Sequence, residues 1–226
     1  MSHGHRHTSG HEHELEPQRG LPELLPRDEQ ILWQGSPDWR AMALRAFHLR
    51  KVAVYFALML ALRGSVALAD GATALDALIK VLWLLPLAAL GLGLLALIAW
   101  LSARGTVYTL TSKRVVMRIG IVLTVTYNLP LKRIAAADVA LMASGHGDIA
   151  LALAPGDRIA WLQLWPHARP WRLARPEPAL RAVPHAAQVA LRLTTAWSAA
   201  TGKSATAPER TASPQGSAPR AVLQGR

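Results

Sequence analysis

The sequence predicts an α+β membrane protein in which a two-helix transmembrane hairpin is followed by a small β-barrel or sandwich with a C-terminal helix. Two long apolar segments, residues 52–69 and 81–103, predict the hairpin, because each has about the length that crosses a bilayer core of roughly 30 Å. Short β-branched segments between Gly and Pro turns follow and predict the strands. Apolar residues at fourfold spacing predict a helix over 185–199.

Composition and charge point to a protein at a membrane surface. Apolar residues make up 51% of the 226 residues and charged residues only 17%, which is few for a surface that faces water. The net charge is +11, and the excess follows the apolar region, since residues 104–226 hold 16 Lys or Arg against 5 Asp or Glu. Such a basic domain favours anionic lipid headgroups or an acidic protein face as partners. We expect no nucleic-acid partner, because no recognised binding motif is present.

The first 51 residues divide into two parts. Residues 1–20 are polar and His-rich, and we expect a disordered tail without a cleavable signal peptide. The histidines of this tail are either weak ligands for a divalent metal or simply part of a soluble, pH-sensitive segment. They are His3, His5, His7, His11 and His13. Residues 21–51 are expected to form an ordered cytoplasmic segment that leads into the membrane, with a short strand at residues 31–33.

The two apolar segments of the hairpin (52–103) differ in strength. The first contains Arg63 near its outer end, where a long side chain can reach the interface. The second has no charge, carries Pro86 in its first turns, and offers Gly91 and Gly93 as a small face for helix packing. Basic residues precede the first segment and follow the second, so the positive-inside rule predicts that both chain ends are cytoplasmic. Two buried helices in a soluble bundle are the alternative.

Residues 104–200 are expected to form one domain that begins with strands. The predicted strands are residues 106–111, 114–119, 121–129, 148–153 and 158–164. The last two are expected to pair as a hairpin through a turn at Pro155 and Gly156. Residues 130–142 give no clear pattern beyond one helical turn.

The C-terminal part of the chain changes character twice. Residues 165–184 contain closely spaced prolines, which exclude a regular helix. The helix predicted over 185–199 then places Val189, Leu193 and Trp197 on one face. Residues 201–226 are dominated by Ala, Pro, Ser and Gly and are expected to be disordered.

Four segments carry a family resemblance: ILWQGSPDW, YTLTSKRVVMRIG, LPLKRI and GHGDIAL. Together they cover about residues 26–165 and resemble the membrane-anchored bacterial PH-like domains, which share an aromatic-x-Leu-Thr-turn-Lys/Arg opening and a Gly-x-Gly-Asp-Ile hairpin. The resemblance implies a PH-like fold for the barrel or sandwich. It also implies that Gly145, Gly147 and Asp148 are a structural signature of a turn rather than a binding site.

The further segment LWPHARPWRLARPEPALRAVP, with the His-rich start, resembles the photosynthetic-complex assembly proteins of purple phototrophic bacteria. This resemblance implies an accessory factor for the reaction centre and its core antenna in the bacterial inner (intracytoplasmic) membrane. It implies no catalysis and no cofactor. The partners implied are reaction-centre or core antenna subunits, beside anionic membrane lipids, and a homodimer stays open.

Residues 165–184, called the Pro/Arg/Trp loop below, contain the candidate partner and lipid contacts. Trp and Arg are enriched at interface hot spots, and arginines can also meet lipid phosphates, although an ordinary solvated basic face has the same composition. The candidates are Trp165, His167, Arg169, Trp171, Arg172, Arg175 and Arg181. His167 between two tryptophans could also ligate or stack on a tetrapyrrole. The alternative is a surface loop clamped by prolines, with its Trp rings packed on the barrel.

Catalysis has the least support of the function classes. The sequence contains no nucleophile motif and no carboxylate pair in a catalytic context. Gly202-Lys203-Ser204 echoes a phosphate-binding loop, but Trp197 stands where that motif needs its first glycine. Two other hypotheses stay open beside an assembly factor: a generic PH-like module that binds lipid or protein at the membrane surface, and a pigment or metal carrier.

Overall fold

A computed structural model describes residues 20–21, 23–154, 156 and 159–203, together with the backbone of residues 220–221. The candidate metal-binding histidines of the N-terminal tail lie outside these residues. The elements follow one another in the order β1 (Ile31–Gly35), α1 (Trp39–Arg45), α2 (Leu49–Ala69), α3 (Ala74–Gly105), β2 (Val107–Thr111), β3 (Arg114–Ile119), β4 (Val125–Pro130), a 3-10 helix (Leu131–Arg133), β5 (Ile134–Leu141), β6 (Gly147–Leu153), α4 (Trp161–Leu164), β7 (Ala179–Val183), α5 (Ala186–Thr201) and β8 (Arg220–Ala221).

Helices α2 and α3 are long and apolar enough to cross a bilayer, as the sequence predicts. They contain 21 and 32 residues, and only 6% of the apolar stretch of each is buried within the protein. Large apolar side chains such as Leu58, Leu87 and Leu90 are therefore exposed. A helix pair inside a soluble bundle would bury such faces, so this exposure favours lipid around the helices over that alternative.

The start of α3 differs from the prediction. The helix begins at Ala74, seven residues earlier, because Thr73 caps it: Oγ1 accepts a hydrogen bond from Asp76 N at 3.2 Å and donates one to Asp76 Oδ2 at 2.7 Å. Asp76 and Lys80 thus belong to the helix, and the connection shortens to residues 70–73. Apolar length located the membrane core of α3, whereas its first turns depend on the Thr-x-x-Asp capping signal.

Glycines let α2 and α3 pack closely. A Cβ atom at Gly64 would lie 3.3 Å from Val81, and one at Gly91 would lie 3.4 Å from Phe56. Small residues therefore bring the two helices together at two levels. The packing predicted for Gly91 is confirmed, whereas Gly93 faces open space.

Two four-stranded antiparallel sheets and α5 form the core of the strand-rich domain, and α1 packs against the end of α3. The strand orders are β1-β2-β3-β4 and β7-β6-β5-β8. One core joins both sheets to α5 and buries Val189, Leu193 and Trp197, the three residues predicted for its inner face. Trp197 Nε1 also donates a hydrogen bond to Ile134 O at 2.9 Å. The predicted order of two long apolar helices, a strand-rich domain and a C-terminal helix is confirmed.

The apolar hairpin is inserted between two paired strands of one sheet. β1 pairs with β2, with Gly35 opposite Tyr108, although the whole hairpin separates them in sequence. Segment 21–51 is therefore part of the strand-rich domain, and the predicted division between the two is wrong. Arg114 in β3 also holds this segment, because its Nε lies 2.8 Å from Glu29 Oε1.

Three strand predictions need correction. The third strand starts only at Val125, because the chain first makes a tight turn at Gly120, whose φ is 147°. β5 was not predicted, since its alternating residues are mostly alanines, which give a weak strand signal. β6 pairs with β5 and β7 rather than with residues 158–164, of which 161–164 form the short helix α4.

The C-terminal tail also departs from the prediction at two residues. Helix α5 runs to Thr201 and ends on Gly202, which has a left-handed φ of 68°. Arg220–Ala221 then pair with β5 as the short strand β8, so the expected disorder is wrong there. The remainder of this tail lies outside the described residues.

Candidate partner-binding loop

The Pro/Arg/Trp loop folds back on itself as two legs. Two main-chain hydrogen bonds join the legs in an antiparallel bridge at Ala168 and Pro178: Arg169 N donates to Glu177 O (2.9 Å), and Ala179 N donates to His167 O (2.7 Å). We call residues 165–169 and 177–184 the loop base and residues 170–176 the loop tip. The base joins the domain, and the tip projects from it.

The second leg continues into the sheet as β7, which the sequence did not predict. Five prolines in the loop argued against regular structure. None of them falls within Ala179–Val183, which pairs with β6 and is buried throughout. Five proline-free residues are enough for a strand. The absence of proline from this stretch was the sequence signal that could have predicted β7.

His167 lies at the loop base and is only 1% exposed. Its Nδ1 is 2.6 Å from Tyr108 Oη, and its Nε2 is 3.1 Å from Thr106 Oγ1. Tyr108 Oη accepts from Arg181 N at 3.1 Å, so its own proton is donated to Nδ1. Thr106 donates its only hydroxyl proton to Ser102 O at 2.7 Å, so it accepts from Nε2. The ring is therefore neutral, carries its proton on Nε2, and has both nitrogens satisfied.

Burial also decides the protonation of this pair. Burial, reinforced by the positive charge of Arg181, lowers the pKa of His167 to about 3. Burial raises the pKa of Tyr108 far above its usual value, so the phenol keeps its proton. A tetrapyrrole ligand needs a ring nitrogen with an open side, and His167 has none. The expectation that His167 contacts a pigment or a partner is therefore wrong.

Arg181 is the second buried polar residue of the loop base, at 4% exposure. Its Nε lies 3.3 Å from Asp148 Oδ2, and its Nη1 donates to Ala168 O at 3.1 Å. Asp148 Oδ1 also accepts from Ala182 N at 2.8 Å, where the chain takes a left-handed φ of 50°. Arg181 thus compensates a nearly buried carboxylate. The expectation that it meets partners or lipid phosphates is wrong.

Arg169 ties the two legs to the sheet. Its Nη1 lies 2.5 Å from Asp138 Oδ2 in β5 and 2.7 Å from Glu177 Oε2 in the second leg. The Arg169 side chain is 29% exposed. Arg169 therefore acts mainly within the protein, and it holds the root of the loop tip in place.

The loop tip presents its side chains to solvent. Trp171 is 95% exposed and Leu173 is 64% exposed. Arg172 and Arg175 beside them are exposed as well, and Arg172 Nε lies 3.8 Å from Glu177 Oε1. The predicted contact residues of the tip, Trp171, Arg172 and Arg175, are therefore all accessible. Leu173 was missed, although a leucine between two arginines next to a tryptophan was a readable signal.

Trp165 is exposed at a different place. Its ring packs edge-on against Phe47 at a centroid distance of 5.4 Å, and Phe47 lies just before α2. Trp165 is therefore beside the start of an apolar helix, a position that suits an interfacial aromatic. The structure does not bring it together with Trp171 at the tip.

Sequence reasoning also missed the partners that bury the loop base. Thr106 and Tyr108 were interpreted only as alternating residues of a strand, and Asp148 only as part of a turn and the first residue of the next strand. The polar residues of the strand TVYTLT were the one local signal, because fully buried hydroxyls need hydrogen-bond partners.

Within the described part of the chain, no group of three or more His, Cys, Asp or Glu is placed to hold a metal ion. The chemistry that the loop tip offers is that of contact: an aromatic ring, a branched apolar side chain and two guanidinium groups. Such groups bind protein surfaces or anionic headgroups.

Comparison with known proteins finds a family match and a similar protein in another bacterium. Residues 52–196 match the family described as bacterial PH domain. The chain is 38% identical over 218 residues to the "uncharacterized 23.7 kDa protein in puhA 5'region" of Rhodobacter capsulatus. The aligned region covers 96% of this chain and 100% of the relative. No solved structure matches the chain. The family match spans both apolar helices and most of the two sheets, and β1 precedes it.

Proposed function

This chain belongs to the bacterial PH domain family, and from that premise we propose that it is a PuhB-type assembly factor for the photosynthetic reaction centre and its core antenna. Its apolar hairpin anchors it in the bacterial inner membrane. Its loop tip contacts a reaction-centre or core antenna subunit during assembly. The PH-like family is generally non-catalytic, and we propose no enzymatic activity.

Membrane anchoring is supported by exposed apolar surface and by charge. Leucines cover the outer faces of α2 and α3, and they would cost free energy in water. Basic residues lie at or beyond the paired ends of the two helices: Arg40 and Arg45 before α2, Arg50 and Lys51 in its first turn, and Arg104, Lys113, Arg114 and Arg118 at the end of α3 and after it. Because cytoplasmic flanks carry such an excess, we propose that both chain ends are cytoplasmic.

One observation carries the proposed contact: a Trp that is 95% exposed sits at the tip of a loop whose base is tied down. An exposed Trp171 beside Leu173 and two arginines has the composition of an interface hot spot. The hydrogen bonds and ion pairs of the base fix the tip before it meets a partner. Preorganisation of this kind lowers the entropy lost on binding.

The relative in Rhodobacter capsulatus supports the photosynthetic context. Its name places it in the 5' region of puhA, and its 38% identity extends over nearly the whole of both chains. A gene position of that kind supports an assembly factor over a generic membrane-surface module.

A second candidate function, lipid recognition by the tip, is favoured by the exposure of Arg172 and Arg175. The two functions differ in what the tip binds. A protein client requires the Trp and Leu side chains, whereas anionic lipid requires the arginines.

The experiment is affinity capture of the full-length protein from detergent-solubilised membranes of its phototrophic host. Wild type is compared with Trp171→Ala/Leu173→Ala and with Leu191→Ala, a matched control on α5 whose side chain is 69% exposed. We expect reaction-centre or core antenna subunits with wild type and with the control, and their loss with the double variant. The same three proteins are then expressed in a deletion strain. Wild type and Leu191→Ala should restore photosystem yield, and Trp171→Ala/Leu173→Ala should not.

Two results would count against the proposal. Normal photosystem yield in the deletion strain would remove the assembly role. The lipid function would be favoured instead if Trp171→Ala/Leu173→Ala captured the subunits as wild type does and if the protein bound anionic vesicles. In that case Arg172→Ala/Arg175→Ala should lose the binding to vesicles.

A further inference from the structure

The turn between β3 and β4 presents an apolar cluster that the proposed function does not use. Val122 is 89% exposed, Leu123 is 84% exposed and Ile121 is 45% exposed. We call these three residues the β3–β4 tip. Three consecutive exposed apolar side chains are unusual on a surface that faces water, and they mark a contact surface.

The β3–β4 tip lies next to the end of an apolar helix. The backbone of Gly120 packs against Gly105, the last residue of α3, so closely that a side chain at Gly105 would collide with the Gly120 carbonyl oxygen. β2 leaves this point, and β3 returns to it, since Val107 pairs with Arg118. The turn therefore lies at the end of the sheet where the chain passes from α3 into β2.

Side chains around the end of α3 mark this level as the bilayer interface. Trp100 is partly exposed, and the guanidinium of Arg104 lies 5.3 Å from the centre of its ring. Trp and Arg are the residues that hold helix ends at headgroup level. On the α2 side, Phe47 and Trp165 pack together just before that helix starts. The β3–β4 tip thus lies beside the helix end that carries Trp100 and Arg104.

The geometry points to a third membrane contact: we propose that the β3–β4 tip inserts into the headgroup region of the bilayer beside α3. The occupant is lipid, because the tip continues the apolar surface of the hairpin and stands beside the basic residues at its ends. Insertion at a third point would prevent the domain from tilting about its two helix connections. This inference rests on the proposed membrane anchoring.

The absence of cysteine from the sequence makes a direct test simple. Single-cysteine forms of the full-length protein, Val122→Cys, Leu90→Cys and Leu191→Cys, are labelled with the fluorophore NBD. They are reconstituted into vesicles of phosphatidylcholine with phosphatidylglycerol, with and without nitroxide-labelled lipid. Leu90 reports on the middle of α3, and Leu191, exposed on α5, is the control for a side chain away from the bilayer.

We expect nitroxide lipid to remove most NBD emission at Val122 and Leu90 and to leave Leu191 unaffected. Adding Leu123→Asp to the Val122→Cys form should restore emission at Val122, because a carboxylate disfavours insertion. A Val122 label that behaves like the Leu191 label, with Leu90 still quenched, overturns the third contact and leaves the membrane anchor standing. An unquenched Leu90 label contradicts the proposed anchor itself.

Discussion

The base and the tip of the Pro/Arg/Trp loop have similar composition and opposite environments. His167 and Arg181 in the base are at most 4% exposed and have hydrogen-bond or ion-pair partners. Trp171 and Leu173 in the tip are at least 64% exposed. The difference teaches that residue types common at interfaces are available for contact only where the fold leaves them exposed.

The comparison makes a graded prediction: substitutions should cost stability in the base and binding in the tip. A buried polar group whose partner is removed keeps its desolvation penalty. An exposed side chain exchanges protein contacts for water at little cost.

The largest loss of stability is expected for Arg181→Met. This change removes the closer and more buried of the two ion pairs of Asp148, the other being that with Arg45 at 4.0 Å, and should lower the free energy of unfolding by about 3 kcal/mol. Thermal unfolding of the full-length protein in detergent measures the effect. Arg172→Met is the matched control, because that arginine is exposed, and its midpoint should stay near that of wild type.

His167→Gln is expected to cost about 2 kcal/mol at neutral pH, because Tyr108 and Thr106 lose a partner of the right shape. The pH dependence is more diagnostic. The lowered pKa, about 3 in the folded protein against about 6.5 unfolded, means that only the unfolded state binds a proton between these values.

The sign follows from that difference. Stability from neutral His167 is complete above about pH 6.5 and decreases as the pH falls toward 3, by up to roughly 1.4 kcal/mol per pH unit. Unfolding midpoints of wild type at pH 7, 5.5 and 4.5 should fall more steeply than those of His167→Gln. Parallel curves for the two proteins would mean that His167 is not buried in its neutral form.

Arg169→Ala should have an intermediate effect, about 1 kcal/mol, because its guanidinium is partly exposed and solvent screens its two ion pairs. The same change should loosen the root of the loop tip. We therefore expect weaker capture of the client with only a small change in the unfolding midpoint, measured on the same preparation.

The smallest effect on stability is expected for Trp171→Ala, within about 0.5 kcal/mol of wild type. Its effect should lie in client capture instead. A fall in the unfolding midpoint as large as that of Arg181→Met would contradict the division of the loop into base and tip.

The sequence predicted the helices better than the strands. The uncharged run of α3 and the inner face of α5, with Val189, Leu193 and Trp197, were read correctly because apolar length and period are local properties. β5 and β7 were missed, since alanines in one and neighbouring prolines of the other hide the strand signal. Residues 158–164 were assigned to a strand because their short apolar run fits a strand as well as a helical turn.

By itself, the sequence determined that two apolar helices and a basic, strand-rich domain share one chain, because hydrophobicity and charge are properties of the residues themselves. Only the tertiary structure decided that β1 pairs across the whole hairpin with β2, and that His167 and Arg181 are internal while Trp171 is exposed. The reason is physical: the environment of a polar side chain depends on partners such as Tyr108 and Asp148, which lie far away in sequence and meet it only in the folded protein.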